Sequence, residues 1–78
     1  MPTLFYEGPY RFFFYSADGV EPVHVHIQKG TALAKFWLFP GRLDSSRGFA
    51  RAELRELERL VVRYQERIAE AWHEFFGA

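Results

Sequence analysis

Two hydrophobic periods divide the chain. Up to about residue 39, short apolar runs are bounded by Gly, Pro and Asp; from Arg51 onward, apolar residues recur with helical spacing. The clearest alternation is VHVHIQ (23–28), where Val23, Val25 and Ile27 point one way and His24, His26 and Gln28 the other. TLFY (3–6) predicts a strand ended by the turn signal EGP (7–9). YRFFFYS (10–16) predicts a second strand, ended by ADGVEP (17–22) with its turn dipeptide Asp18-Gly19. Lys29-Gly30 suits a two-residue hairpin turn with Gly30 at positive φ, and TALAKFWLF (31–39) returns as the next strand.

That turn fixes a register in which His24 opposes Lys35, Val25 opposes Ala34 and His26 opposes Leu33. One sheet face then carries Val23, Val25, Ile27, Ala32, Ala34, Phe36 and Leu38 and is core. The other carries His24, His26, Gln28, Leu33, Lys35 and Trp37. It is expected to be at least partly exposed, with no intramolecular cover.

PGRLDSSRGF (40–49) reads as a loop, with room for a short strand or 3₁₀ turn around Arg42–Asp44. In the last third, Leu54, Leu57, Tyr64, Ile68, Trp72 and Phe75 lie within roughly 60° of Val61 at about 100° per residue. Leu60 and Ala71 sit at the edge of this stripe, and Gly77 ends it. The pattern predicts an α+β fold: a small antiparallel β-sheet of three to four strands packed on one long C-terminal α-helix, in the order β-β-β-β-α. A single domain spans 1–78, with the sheet over about 3–39, the loop over 40–49 and the helix over about 51–76.

Composition sharpens this picture at a few points. The 78 residues include nine Phe, four Tyr and two Trp. A chain this short buries only about 60% of its unfolded surface, so some of these rings are expected on a binding surface. There is no cysteine, which excludes disulfides and thiolate zinc sites. MPTLFYEGPY lacks the features of a signal peptide, and no apolar run approaches a membrane span, so a cytoplasmic protein is expected. The net charge is zero. Nucleic acid is therefore not drawn by bulk charge, and binding it would need a local patch.

PYRFFFYSADGVEPVHVHI, AKFWLFPGRL, RGFARAELRELERLV and EAWHEFF, in that order, resemble a small bacterial family catalogued as domain of unknown function 4160. The resemblance covers nearly the whole chain. Val23 stands where the family usually has a second proline, and Ala50 stands where a serine would cap the helix. Members are often encoded beside a second small protein, so the resemblance implies one component of a two-gene, toxin–antitoxin-like module. It carries no activity over to particular residues.

His24 and His26 share a strand face about 6–7 Å apart, which admits three chemistries. As a metal half-site they would need a third donor, for which Glu21, Asp18 and His73 are the candidates; Lys35 nearby is a cation where a metal wants none. As an acid–base pair they would act on a phosphodiester, with Lys35 stabilising charge and Trp37, Tyr15 or Phe13 stacking bases. As an interface, His24, His26, Lys35 and Trp37 form the surface that takes a protein partner or a second copy, with Trp37 as anchor. The interface is the reading adopted. It leaves the ribonuclease-like toxin and the metal-binding domain as alternatives, and it implies no cofactor. Arg51, Arg55, Arg59, Arg63 and Arg67 recur every four residues and wind over the solvent side of the helix. Pairs such as Arg55–Glu58 and Arg67–Glu70 are expected to neutralise them, although a nucleic-acid or acidic-partner stripe would use the same spacing.

Overall fold

The computed structural model describes residues 3–77. Its elements are β1 (Thr3–Glu7), β2 (Tyr10–Phe13), a 3₁₀ turn (Ser16–Val20), β3 (His24–Lys29), β4 (Ala32–Trp37), β5 (Arg42–Arg47), α1 (Arg51–Arg63) and α2 (Gln65–Phe76). The strands form one sheet in the order β1-β2-β3-β4-β5, and each neighbouring pair is antiparallel. The α+β class is as expected. The sheet has five strands rather than three or four, because the segment read as a loop supplies β5. The second strand is shorter than expected, since Phe14 and Tyr15 lead out of it into the 3₁₀ turn.

The hairpin turn lies one residue further along than the sequence reading placed it. Lys29 pairs with Ala32, so Gly30 and Thr31 form the turn, and His24 opposes Trp37 while His26 opposes Lys35. Each residue's partner moves by two positions. An even shift leaves every side chain on its expected face. Gly30 has the positive φ the turn requires, at 60°.

One face of the sheet supplies Phe12, Phe14, Val25, Ile27, Ala34, Phe36 and Leu38 to the core, and the helices supply Leu57, Leu60, Val61, Ile68 and Trp72. The helical segment is interrupted at Tyr64, whose φ of −99° and ψ of 17° fall outside helical values. Two side-chain tethers meet there: the Tyr64 hydroxyl donates to Glu7 at 2.5 Å, and the Gln65 amide donates to the Leu38 carbonyl at 2.7 Å. Phe75, expected in the stripe, is 46% exposed. Phe76 takes its place against Phe14 and Trp72. No described helix is long and apolar enough to cross a membrane.

The start of α1 is held by Glu53. Its carboxylate accepts from the Tyr10 hydroxyl at 2.7 Å, from Lys29 and from the Ala50 backbone N–H. The Lys29 and Tyr10 hydrogen bonds hold the Glu53 carboxyl below its usual range. The bond to Glu53, then burial, pushes the Tyr10 phenol up to about 12. Ala50 has the extended backbone of an N-cap but offers no side-chain cap. Half a capping box is therefore present, with the cap hydroxyl missing. Ala50→Ser is expected to raise the unfolding free energy by about 0.5–1 kcal/mol in urea denaturation; no gain would show that the first turn of α1 is already satisfied.

Candidate functional site

The outer face of the sheet is less open than its sequence pattern implies. His24 is fully buried and His26 is 8% exposed. The expectation of an uncovered histidine face is thus corrected, and the cover comes from the segment just after β2 and from Trp72 of α2. After Phe14 the chain folds back through Tyr15 and the 3₁₀ turn, which sets Asp18 over the two imidazoles. Asp18 Oδ1 lies 3.1 Å from His24 Nε2, and Asp18 Oδ2 lies 3.1 Å from His26 Nε2. Oδ2 also accepts the Tyr15 backbone N–H at 2.8 Å.

The two histidines differ in how they are satisfied. His24 Nδ1 donates to the Pro22 carbonyl at 2.9 Å. Its Nε2 is close to Asp18 but out of line for a hydrogen bond, and it has no hydrogen-bond partner. Burial pushes the His26 imidazole below its ordinary value, the Asp18 carboxylate opposing this and His24 adding to it. Aromatic rings wall both: Trp37 and Trp72 against His24, Phe13 and Tyr15 against His26. Phe13 is itself sealed from solvent by the Arg11 guanidinium 4.2 Å above its ring. Both Nε2 atoms converge on one carboxylate and His24 has no solvent-facing surface. The pair therefore does not flank a substrate as free acid and base.

Of the three donors considered for a third ligand, Asp18 is the one brought to the histidines. Glu21 Oε1 comes within 3.8 Å of His24, but on the Nδ1 side that donates to Pro22, and it accepts from Lys35 at 2.7 Å; His73 lies on the exposed side of α2. Lys35 also sits 4.5 Å from the centre of the Trp37 ring, and the Trp37 indole donates to Asp44 at 3.0 Å. Beyond Trp37, Pro22, Val23 and Phe39 complete an apolar cleft of about 270 Å³. A second groove, on the other side of His26, is lined by Tyr15, Lys35, Ser45 and Arg47 among others.

A profile described as Domain of unknown function (DUF4160) matches residues 10–73 of the 78-residue chain. The chain belongs to the DUF4160 family. The match takes in the 3₁₀ turn, both histidines, the cleft and most of the helical segment of this DUF4160 domain, while β1 and the end of α2 lie outside it. Comparison with curated proteins and with solved structures finds no match.

The arginine series lies on the solvent side of the DUF4160 helices, as its spacing predicts, and all five residues are exposed. The pairing differs from that expected. Among the described residues the intrahelical ion pair is Arg59–Glu56 at 2.6 Å, while Arg67 turns away to lie 4.1 Å over the Phe5 ring. Arg55, Arg59 and Arg63 line a shallow groove with Glu58 and Val62. Glu58 within that groove interrupts any continuous positive stripe.

Proposed function

We propose that this protein works by binding a protein partner at the Trp37 cleft, as one component of a two-gene, toxin–antitoxin-like module in the cytoplasm. The observation that carries the reading is the cleft itself, which gathers Pro22, Val23, Trp37 and Phe39 at the surface. Phe39 is 60% exposed, a large apolar surface that a partner's side chain would desolvate. Trp37 is held rigid by Asp44 and Lys35, and a rigid, half-buried indole is the usual form of an interface anchor.

The neighbouring charges define the partner's chemistry. Arg42 is the cross-strand neighbour of Trp37. Arg42 has no salt-bridge partner among the described residues; Arg47, likewise unpaired, lies at the other end of β5 opposite Leu33, on the second groove. The occupant that fits is a protein segment with one apolar anchor flanked by acidic residues. His24 and His26 are not contact residues in this reading, since both are already buried, whereas Lys35 and Trp37 are.

Trp37→Ala is expected to weaken the complex with the product of the adjacent gene by more than about 2 kcal/mol, roughly thirtyfold in Kd. Isothermal titration of the purified pair measures it. Unchanged affinity with an intact fold would remove this cleft as the binding surface.

A further inference from the structure

His24 presents a problem of valence. Its Nδ1 faces a carbonyl oxygen, which only accepts, so Nδ1 carries the proton. In the tautomer with Nδ1 protonated, Nε2 is the ring's lone-pair nitrogen. That atom is buried, has no hydrogen-bond partner and faces Asp18 Oδ1 at 3.1 Å. A lone pair set against a carboxylate oxygen is repulsive unless something electropositive lies between them. His26 Nε2 lies 3.1 Å from the other carboxylate oxygen, Oδ2, and the two are hydrogen-bonded.

We infer that Asp18, His24 and His26 bind a divalent transition metal ion of zinc's class, at a site separate from the Trp37 cleft. One ligand atom from each residue lies within 4.8 Å of the other two. In a tetrahedral zinc site with bonds of about 2.0–2.1 Å, neighbouring ligand atoms stand about 3.3 Å apart. Each imidazole nitrogen stands near that distance from an Asp18 oxygen, His24 Nε2 at 3.1 Å from Oδ1 and His26 Nε2 at 3.1 Å from Oδ2, so the carboxylate brackets the ion's position with both its oxygens. The remaining separation, at most 4.8 Å, is wider than that edge, and an ion would draw the ligands together.

The surroundings are those of a ligand set held in place. The bond from His24 Nδ1 to Pro22 fixes the tautomer and ring plane, the support that metal-bound imidazoles usually receive. The Tyr15 N–H does the same for Asp18. Trp37 and Trp72 on one side, and Phe13 and Tyr15 on the other, restrict both rings. Lys35, the cation that counted against a metal, is turned to Glu21 and the Trp37 face, which offsets its charge. Two imidazole nitrogens and one carboxylate suit zinc and its divalent neighbours rather than calcium or magnesium, which take oxygen ligands.

Three protein ligands leave a fourth position for water or a small anion. The ligands come from two segments, the 3₁₀ turn and β3, so an ion would pin one to the other. Glu21 and Pro22 join those segments, and Pro22 is one wall of the Trp37 cleft.

The test is zinc binding by the tag-free, metal-stripped protein, followed by isothermal titration and native mass spectrometry. One zinc per chain is expected, with the thermal midpoint raised by about 5 °C or more at saturation. Asp18→Asn and His26→Gln, both close in size to the native residues, are each expected to lower zinc affinity at least tenfold, since even loss of a supporting contact costs about 10–100-fold. His73→Gln, on the exposed side of α2, is expected to leave it unchanged. A folded native protein that takes up no zinc at about 100 µM would overturn the inference. So would equal zinc affinity in the native, Asp18→Asn and His26→Gln proteins, or a loss that follows His73 instead.

Discussion

Trp72→Ala is expected to lower the unfolding free energy by about 3–5 kcal/mol, the range for removing a buried aromatic ring. Trp72 is 3% exposed. Its ring meets Phe14 edge-on at 5.2 Å, Phe76 at 4.4 Å and His24 at 5.3 Å. It is therefore where α2, the end of β2 and the start of β3 are joined. A domain of this size has a total stability of only about 4–12 kcal/mol, so the substitution removes a large part of it. Thermal unfolding should show a midpoint lower by about 12 °C or more. Trp72→Phe keeps a ring against Phe14 and is expected to lose less than half as much. A loss below about 1 kcal/mol for Trp72→Ala would mean that the last turns of α2 are not part of the core. Because Trp72 also walls His24, Trp72→Ala should lower zinc affinity as well, through looser ligands rather than a missing one.

The core was legible in the sequence wherever one face of an element is buried. The alternation of VHVHIQ and TALAKFWLF placed Val25, Ile27, Ala34, Phe36 and Leu38 in the core, and all five are buried. The helical stripe did the same for Leu57, Val61, Ile68 and Trp72. The hairpin register was wrong by two and the faces were still right, since a two-residue shift preserves the side-chain alternation. What failed was the part with no apolar pattern. β5 is RLDSSR, with Leu43 half-buried and the rest exposed. An edge strand of this kind is held by the backbone ladder to β4, and hydrophobic periodicity does not register backbone bonds. The break at Tyr64 was hidden for a related reason: the apolar stripe runs unbroken through it, and the tethers to Glu7 and the Leu38 carbonyl are long-range.

The site was half legible. Alternation put His24 and His26 on one face and away from the core, and the sheet does so. It could not show that the 3₁₀ turn folds back over them. Asp18-Gly19 reads as a turn, which it is, and Asp18 as one of three candidate donors, but nothing local says that its carboxylate, rather than Glu21 or His73, is the one set between the two imidazoles. Gly19 offered the only further signal. A Cβ there would fall 2.7 Å from the Phe76 ring, so a small residue lets the turn lie close to α2. The consequence for function is a division of labour along one short segment. His24 and His26 face inward to Asp18, while Pro22, Val23 and Trp37 shape the surface cleft next to them.

Gly48→Ala is expected to destabilise the protein by about 3 kcal/mol, an effect large for the loss of no side chain at all. Gly48 follows β5 with a φ of 84°, a left-handed value that costs an L-residue about 1–2 kcal/mol. Space adds to the strain. A Cβ at this position would lie 3.0 Å from the Ala32 Cα and 3.1 Å from its Cβ. Ala32 opens β4 and is paired with Lys29 across the hairpin, so that backbone has little freedom to retreat, and overpacking of this kind costs about 1–3 kcal/mol. The close approach also sets the direction in which the chain leaves the sheet. The next residue, Phe49, packs its ring 6.3 Å from Tyr10, and Ala50 then begins the helix. Displacing Gly48 would thus disturb the last pairs of β5 and the start of α1 together. Urea denaturation measures the loss, and hydrogen exchange locates it: protection should fall at β5 and the first turn of α1 before it falls at β2 and β3. A loss under about 1 kcal/mol would mean that β5 can shift away from β4 without cost, and would leave Arg42, beside Trp37, without the fixed position that the proposed partner binding uses.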